Sequence, residues 1–362
     1  MHLSTTLLNE YTHDSTNSHD ALFLAALISF GPIVFKVAYL MKKWGIFQQL
    51  EKGSYTEQEL AADLDKPIYA IKILLEASLT VGTVKVNAQT NRYMLSQAGW
   101  FLLHQSVVAQ NMDVTEHLAM PGLDHIEQSL LTEEAVGLSK FTTKDNIFDA
   151  MQELPRKIQE CVENMQHFFG SYTMKEALPI IFARRLHKLL IIGSQKAECE
   201  LACVAYDPQV EVTVMDYPKH IPENQEHIKG KTGAGRIKYF SCNFFKGDQL
   251  PQNETYDAIY LNHVLSNFTR ARNMQLLEGL KQLMSAQSSL FILQPLSDNE
   301  EFDFHALNLT QLSIISGTMI NGGTKNITSE EVMELIQTTG LYVVQVRELA
   351  ENMHTLLEVR KL

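Results

Sequence analysis

The chain has 362 residues, 45% of them hydrophobic and 20% charged, with a formal net charge of -12. This is the composition of a folded globular protein long enough for two domains, not of a disordered chain. The acidic balance and the lack of any Lys/Arg cluster argue against a nucleic-acid partner, because phosphate binding rests on grouped cations, and leave small molecules as the expected partners.

The first twenty residues are polar and are expected to form a loose arm. Ala21 to Met41 is apolar over about the length needed to cross a bilayer. Gly31-Pro32 splits this segment and Lys36 lies inside it, so it is read as two short helices buried on all sides between subunits, not as a membrane anchor. Lys36 to Leu50 reads as a helix. Thr56-Glu57-Gln58-Glu59 is a capping box opening a second helix through Leu64, and Pro67 precedes a third over Ile68 to Leu79. Strand-like runs at Val81 to Asn87 and Arg92 to Leu95 flank the turn Ala88 to Asn91, which completes a winged helix. The helix that would enter a DNA groove offers only Lys72, against Glu76, so a DNA-binding role is disfavoured.

Phe101 to Phe182 reads as helical throughout, with breaks near Pro121-Gly122 and Lys140 to Asn146. The period then changes. Strand-like runs at His187 to Ile192, Val210 to Met215, Ile237 to Ser241, Tyr256 to Leu261, Ser289 to Leu293, Tyr342 to Val346 and Thr355 to Arg360 alternate with helical stretches. That alternation predicts an α/β domain with a parallel, doubly wound sheet that takes ligands at the carboxyl ends of its strands. Cys161, Cys199, Cys203 and Cys242 form no CxxC pair, so neither a disulfide framework nor a metal site is expected, and the setting reads as cytoplasmic.

The stretch Phe35 to Leu103 carries a helix ending in Gly45-Ile46-Phe47, a T-x-x-E-L-A helix from Thr56, an L-x-x-x-G helix end and an L-S-x-A-G exit from the wing. Further on come "LLIIGSQKAECELA", "VEVTVMDYP", "RIKYFSCNFF", "YDAIYLNHVLSNF" and "NGGTKNIT". In order and spacing these resemble the class I S-adenosylmethionine-dependent small-molecule O-methyltransferases, the group of the caffeic acid and acetylserotonin enzymes. The resemblance covers nearly the whole chain. It implies a winged-helix dimerisation domain over 1–105, a helical connector over 106–185 and a Rossmann-like domain over 186–362. It also implies a homodimer, S-adenosylmethionine as cofactor, and a small aromatic or polyketide-like acceptor hydroxyl.

The family's cofactor loop reads roughly D-x-G-G-G-x-G; here the aligned residues include Ile191, Gly193, Ser194, Gln195 and Ala197, so one glycine survives and the acid is absent. The resemblance assigns cofactor contacts to Gly193, Gln195, Asp216, Asn243 and Phe244, with Asp216 accepting from ribose hydroxyls and Asn243 reading the adenine amino group. The family's base is the histidine of V-L-H-D-W, and this chain has Val264-Leu265-Ser266-Asn267-Phe268. Ser266 cannot replace a base unaided, and His263 is the candidate substitute, titrating near 6.5 if it acts; Asn267 completes the catalytic set. His305, Met319 and Asn321 fall where the family forms its acceptor pocket. The alternative is a degenerate member that keeps the fold and dimer but serves as a binding or scaffold partner, or does non-methylating chemistry in the same pocket.

Overall fold

Thr56 Oγ1 accepts the Glu59 N–H at 3.2 Å while the Glu59 carboxylate accepts the Thr56 N–H at 2.8 Å, and this reciprocal cap starts the helix Glu57–Asp63. The computed structural model describes every residue except 1–4, 172, 195, 244–247, 249, 252–253, 299–302 and 350–353, and describes no side chain at 6 or 166–171. The chain divides into two compact units, Asp14–Met120 and a second made of Met1–His13 with Pro121–Leu362.

In the first unit, helices Ser18–Ser29, Gly31–Lys43, Ile46–Lys52, Glu57–Asp63 and Ile68–Val81 precede a hairpin of β1 (Val84–Asn87) and β2 (Arg92–Leu95). The single helix expected over Lys36 to Leu50 is two, because the chain turns at Gly45, whose φ of +78° suits glycine. Met41, Phe47, Leu60, Ile71, Leu75 and Val84 form the core of this winged helix. The apolar segment before it is a pair of helices bent by 75° at Phe30-Gly31, and no single helix among the described residues is long and apolar enough to cross a membrane. Within one chain this pair, expected to be buried between subunits, is largely uncovered. No residue of Ser18–Ser29 is buried, and Leu22, Ile28, Phe30 and Ile33 are exposed. Nor are the first twenty residues wholly loose, since Thr5–Thr12 is a helix with Leu7 buried, and Asn17 caps the next helix.

The second unit is built on a sheet. Its strands are β3 (Lys188–Ile192), β4 (Glu211–Asp216), β5 (Ile237–Ser241), β6 (Tyr256–Asn262), β7 (Met284–Gln294), β8 (Leu341–Leu349) and β9 (His354–Lys361), in spatial order β5-β4-β3-β6-β7-β9-β8. The first five are parallel, and helices Glu198–Tyr206, Ile221–Ile228 and Arg270–Gln282 lie in their crossovers. Leu189 to Ile192 and Ala258 to Leu261 are buried without interruption, as befits strands covered on both faces. β9 runs antiparallel to both β7 and β8, because four residues separate β8 from β9, too few for a parallel crossover. The stretch of chain expected to be helical throughout is instead short π, 3-10 and α turns over much of Thr115–Glu153. The order reversal between β3 and β6 puts the ends of β3, β4, β6 and β7 around one opening.

Candidate active site

Asp216 ends β4 and is only 4% exposed. Its Oδ2 accepts from the Ser194 N–H and the Asn224 amide, each at 3.2 Å. Its Oδ1 accepts from the Tyr217 N–H at 2.6 Å and faces His220 Nδ1 at 3.1 Å. A carboxylate has about four lone-pair sites, so all are engaged within the chain. Burial works against a charged His220 ring, but the Asp216 hydrogen bond and charge outweigh it, with Glu223 adding and Lys219 subtracting, and the net pKa is raised above 6.5.

The loop from β3 keeps a left-handed path with few glycines. Gly193 has φ +77°, and Lys196 and Ala197 follow with +50° and +59°, conformations that cost a side chain roughly 1 kcal/mol or more each. Ser194 holds that path: its Oγ accepts the Ala197 N–H at 3.3 Å and donates to Glu200 Oε1 at 2.6 Å. Tyr239 donates to the same carboxyl at 3.0 Å, and burial raises the Glu200 pKa. Gln195, expected to face the cofactor, lies outside the described residues, as does Phe244.

Past β6 the chain turns sharply at His263, whose φ is +57° and whose N–H donates to Leu293 O at 3.0 Å. Its ring lies 4.9 Å from that of His354, and burial first, then the His354 charge, holds its pKa well below 6.5. The expectation that this histidine would titrate near 6.5 is therefore corrected; a neutral ring in apolar surroundings gives up hydration it cannot recover on charging. Ser266 and Asn267 sit in the following 3-10 turn. The Asn267 amide donates to His263 O at 3.0 Å, and Ser266 Oγ accepts from Gln294 Nε2 at 2.6 Å.

These pieces border one cavity of about 220 Å³. Gly193, Ser194, Asp216 and His220 lie on its lining, as do His263, Ser266, Asn267 and Gln294; Leu309, Leu312 and Ile320 supply apolar wall. No Lys or Arg stands among the described lining residues.

A family model of the O-methyltransferase domain matches residues 116–342, more than half of the chain, and one of the Dimerisation2-like domain matches 23–93. The chain belongs to the O-methyltransferase family. Norreticuline-7-O-methyltransferase of Papaver somniferum is 23% identical over 272 residues, which cover 73% of this chain and 70% of that protein. Among solved structures, the mitomycin 7-O-methyltransferase aligns with a TM-score of 0.71 and 18% identity over 95% of this chain and 98% of that one. Human N-acetylserotonin methyltransferase, solved with S-adenosylmethionine, aligns with a TM-score of 0.64 and 15% identity over 97% and 99%. An O-methyltransferase from neocarzinostatin biosynthesis, solved with S-adenosylmethionine and 2-hydroxy-5-methyl naphthoic acid, aligns at 0.66 and 15% over 91% and 96%.

S-adenosylmethionine is the cofactor of this methyltransferase family, and the residues present fit it after one exchange. A Cβ added at Gly193 would meet only Val264 Cγ2, at 3.6 Å, so that backbone is open toward the cavity. Of the four donors on Asp216, His220 is the one with a ring about a third exposed, at 35%, and a ribose hydroxyl can replace it without unburying the carboxylate.

The other expected residues fall around this methyltransferase cavity, not on it. Asn243 is buried, with its N–H on Asp248 at 2.8 Å and its amide 3.5 Å from the Tyr217 hydroxyl. Asn321 donates to Asn267 O at 2.7 Å and so holds the 3-10 turn that carries Ser266 and Asn267. Met319 packs against Gly122 and Gly137, and the His305 ring lies tilted beside that of Phe304; neither borders the cavity. Sequence reasoning missed His220, Gln294, Leu309 and Leu312. His220 stands four residues after Asp216, and Gln294 is the polar end of the apolar run Leu290 to Leu293, and these two signals could have found them.

Proposed function

We propose that this chain moves a methyl group from S-adenosylmethionine to an acidic hydroxyl of a small aromatic or polyketide-like acceptor, as a homodimer. The observation that carries the reading is the continuous cavity reaching from Gly193 and Asp216 to Ser266 and the leucine wall. When bound, the cofactor supplies the electrophilic methyl and a positive sulfonium. Asp216 would take a ribose hydroxyl in place of His220, and the open backbone of Gly193 would lie along the ligand.

Ser266 stands where the family carries its base, and His263 holds protons too weakly to serve as a good one. Proton removal is therefore left to solvent before the acceptor enters, and positioning does the rest. The leucine wall excludes water and packs an apolar ring, and the described lining, with no Lys or Arg, disfavours an acceptor with a permanent carboxylate. The exposed apolar helices of Ser18–Lys43, most of which fall within the stretch matched by the Dimerisation2-like model, support the homodimer. All four cysteines are buried thiols, which supports a reducing, cytoplasmic setting.

Calorimetric titration with S-adenosylmethionine and S-adenosylhomocysteine tests the cofactor, and mass analysis after incubation with acidic phenols tests transfer. Binding together with a methylated product is expected. Neither binding nor product with any acidic phenol would overturn the reading and leave a degenerate member of the family.

A further inference from the structure

Gln294 is the last residue of β7, paired in register with Thr355 of β9 and followed by Pro295, so its backbone is fixed on both sides. It is 1% exposed, and its Nε2 donates to Ser266 Oγ at 2.6 Å. A serine hydroxyl has one proton and two lone pairs. With the amide filling a lone pair, the Ser266 proton is turned away from Gln294, and Ser266 itself is on the cavity lining. A hydroxyl oriented in this way presents a donor to whatever lies beside it. An ionised oxygen accepts such a bond about twice as strongly as the oxygen of a neutral phenol, so the donor favours the ionised form.

We infer that Gln294 is a positioning residue that aims the Ser266 hydroxyl into the cavity as a donor, so that this site selects the acceptor in its ionised, oxyanion form. The inference rests on the methyltransferase reading above and names the two side chains that read the state of the acceptor oxygen. The serine that replaces the family's base thus acts in the opposite sense. It donates to an oxygen already stripped of its proton.

The experiment uses the full-length protein saturated with S-adenosylhomocysteine and 4-nitrophenol as probe, a phenol whose two ionisation states differ in colour. The pKa of the bound probe is read spectroscopically in wild type, Ser266→Ala, Gln294→Met and Gln294→Glu. Wild type should hold the bound probe at a pKa lower than Ser266→Ala does, by about one unit, or tenfold in the ionisation constant. Gln294→Met, which keeps the volume but frees the hydroxyl, should recover most of the Ser266→Ala value. Gln294→Glu should raise the probe pKa above wild type, because its carboxylate accepts the Ser266 proton and turns a lone pair into the cavity. Equal probe pKa values in wild type and Ser266→Ala, or no probe binding to a protein that binds S-adenosylhomocysteine, would overturn the inference alone. Absent S-adenosylhomocysteine binding in wild type overturns the underlying reading as well, so the two failures are distinct. Ser266→Ala, the mildest change, keeps the comparison available if a Gln294 variant does not fold.

Discussion

His220 Nδ1 lies 3.1 Å from Asp216 Oδ1, so the acid that ends β4 is held by a ring four residues further along its own chain. The pKa of His220 is raised above 6.5, so its contribution to stability is complete below about pH 6.5 and is lost as pH rises through the folded value. The same titration loosens its hold on the carboxylate. S-adenosylhomocysteine affinity, measured by calorimetry from about pH 6 to 8.5, should therefore rise with pH in wild type and stay flat in His220→Ala. An equal slope in both proteins would show that His220 does not compete for Asp216.

Asp216 also anchors the N–H groups of Ser194 and Tyr217. Asp216→Ala should weaken S-adenosylmethionine binding by roughly 1.5 to 3 kcal/mol, about ten- to 150-fold, the cost of losing a charged acceptor. Equal binding by wild type and variant in the same titration would remove the ribose role.

The buried pair His263 and His354 has the reverse pH sign. Burial, then the charge of His305, brings His354 down to about 4, and His263 is also lowered. A histidine depressed in the folded state leaves the unfolded chain binding more protons between about pH 4 and 6.5. Stability is thus full above about pH 6.5 and falls as pH drops through that window, by about 3 kcal/mol for His354. Urea unfolding at about pH 4.5 and pH 7 should show this loss in wild type and a smaller one in His354→Leu.

His263 should not set the pH profile of turnover. With its pKa well below 6.5, the rate should follow acceptor ionisation, and His263→Asn, which tolerates φ near +57°, should keep turnover within a few-fold. A drop of about two orders of magnitude in that variant would identify His263 as the base after all.

Leu22 is 73% exposed, Ile28 70%, Phe30 60% and Ile33 62%, too much apolar surface for a lone chain in water. Light scattering at micromolar concentration should give a dimer, and Phe30→Glu with Ile33→Glu should shift it to monomer. A wild-type monomer would end the dimer proposal.

The sheet is easy to read in the sequence because parallel strands covered on both faces are apolar without interruption, as in Leu189 to Ile192. β7 begins five residues before the expected Ser289, since Met284 to Gln287 is too polar to signal a strand and is recruited by tertiary pairing. Asp216 is legible from its place at a strand end. Gln294 and His220 are not, because each takes its role from a neighbour brought close by folding, Ser266 from 28 positions away and Asp216 across the turn that follows β4. His305 and Met319 stand off the cavity lining for the same reason. Their spacing places them near the pocket, and only side-chain direction turns them elsewhere.

The packing of Met319 limits how this protein can be re-engineered. Its sulfur fills the space that a side chain at Gly122 or Gly137 would need, and at 1% exposure it has nowhere to retreat. A library built on Met319 to change substrate range would mostly yield unstable proteins. Leu309 and Leu312 border the open cavity, and exchanging them for alanine or phenylalanine enlarges or narrows the room for the acceptor while the glycine-locked methionine stays in place.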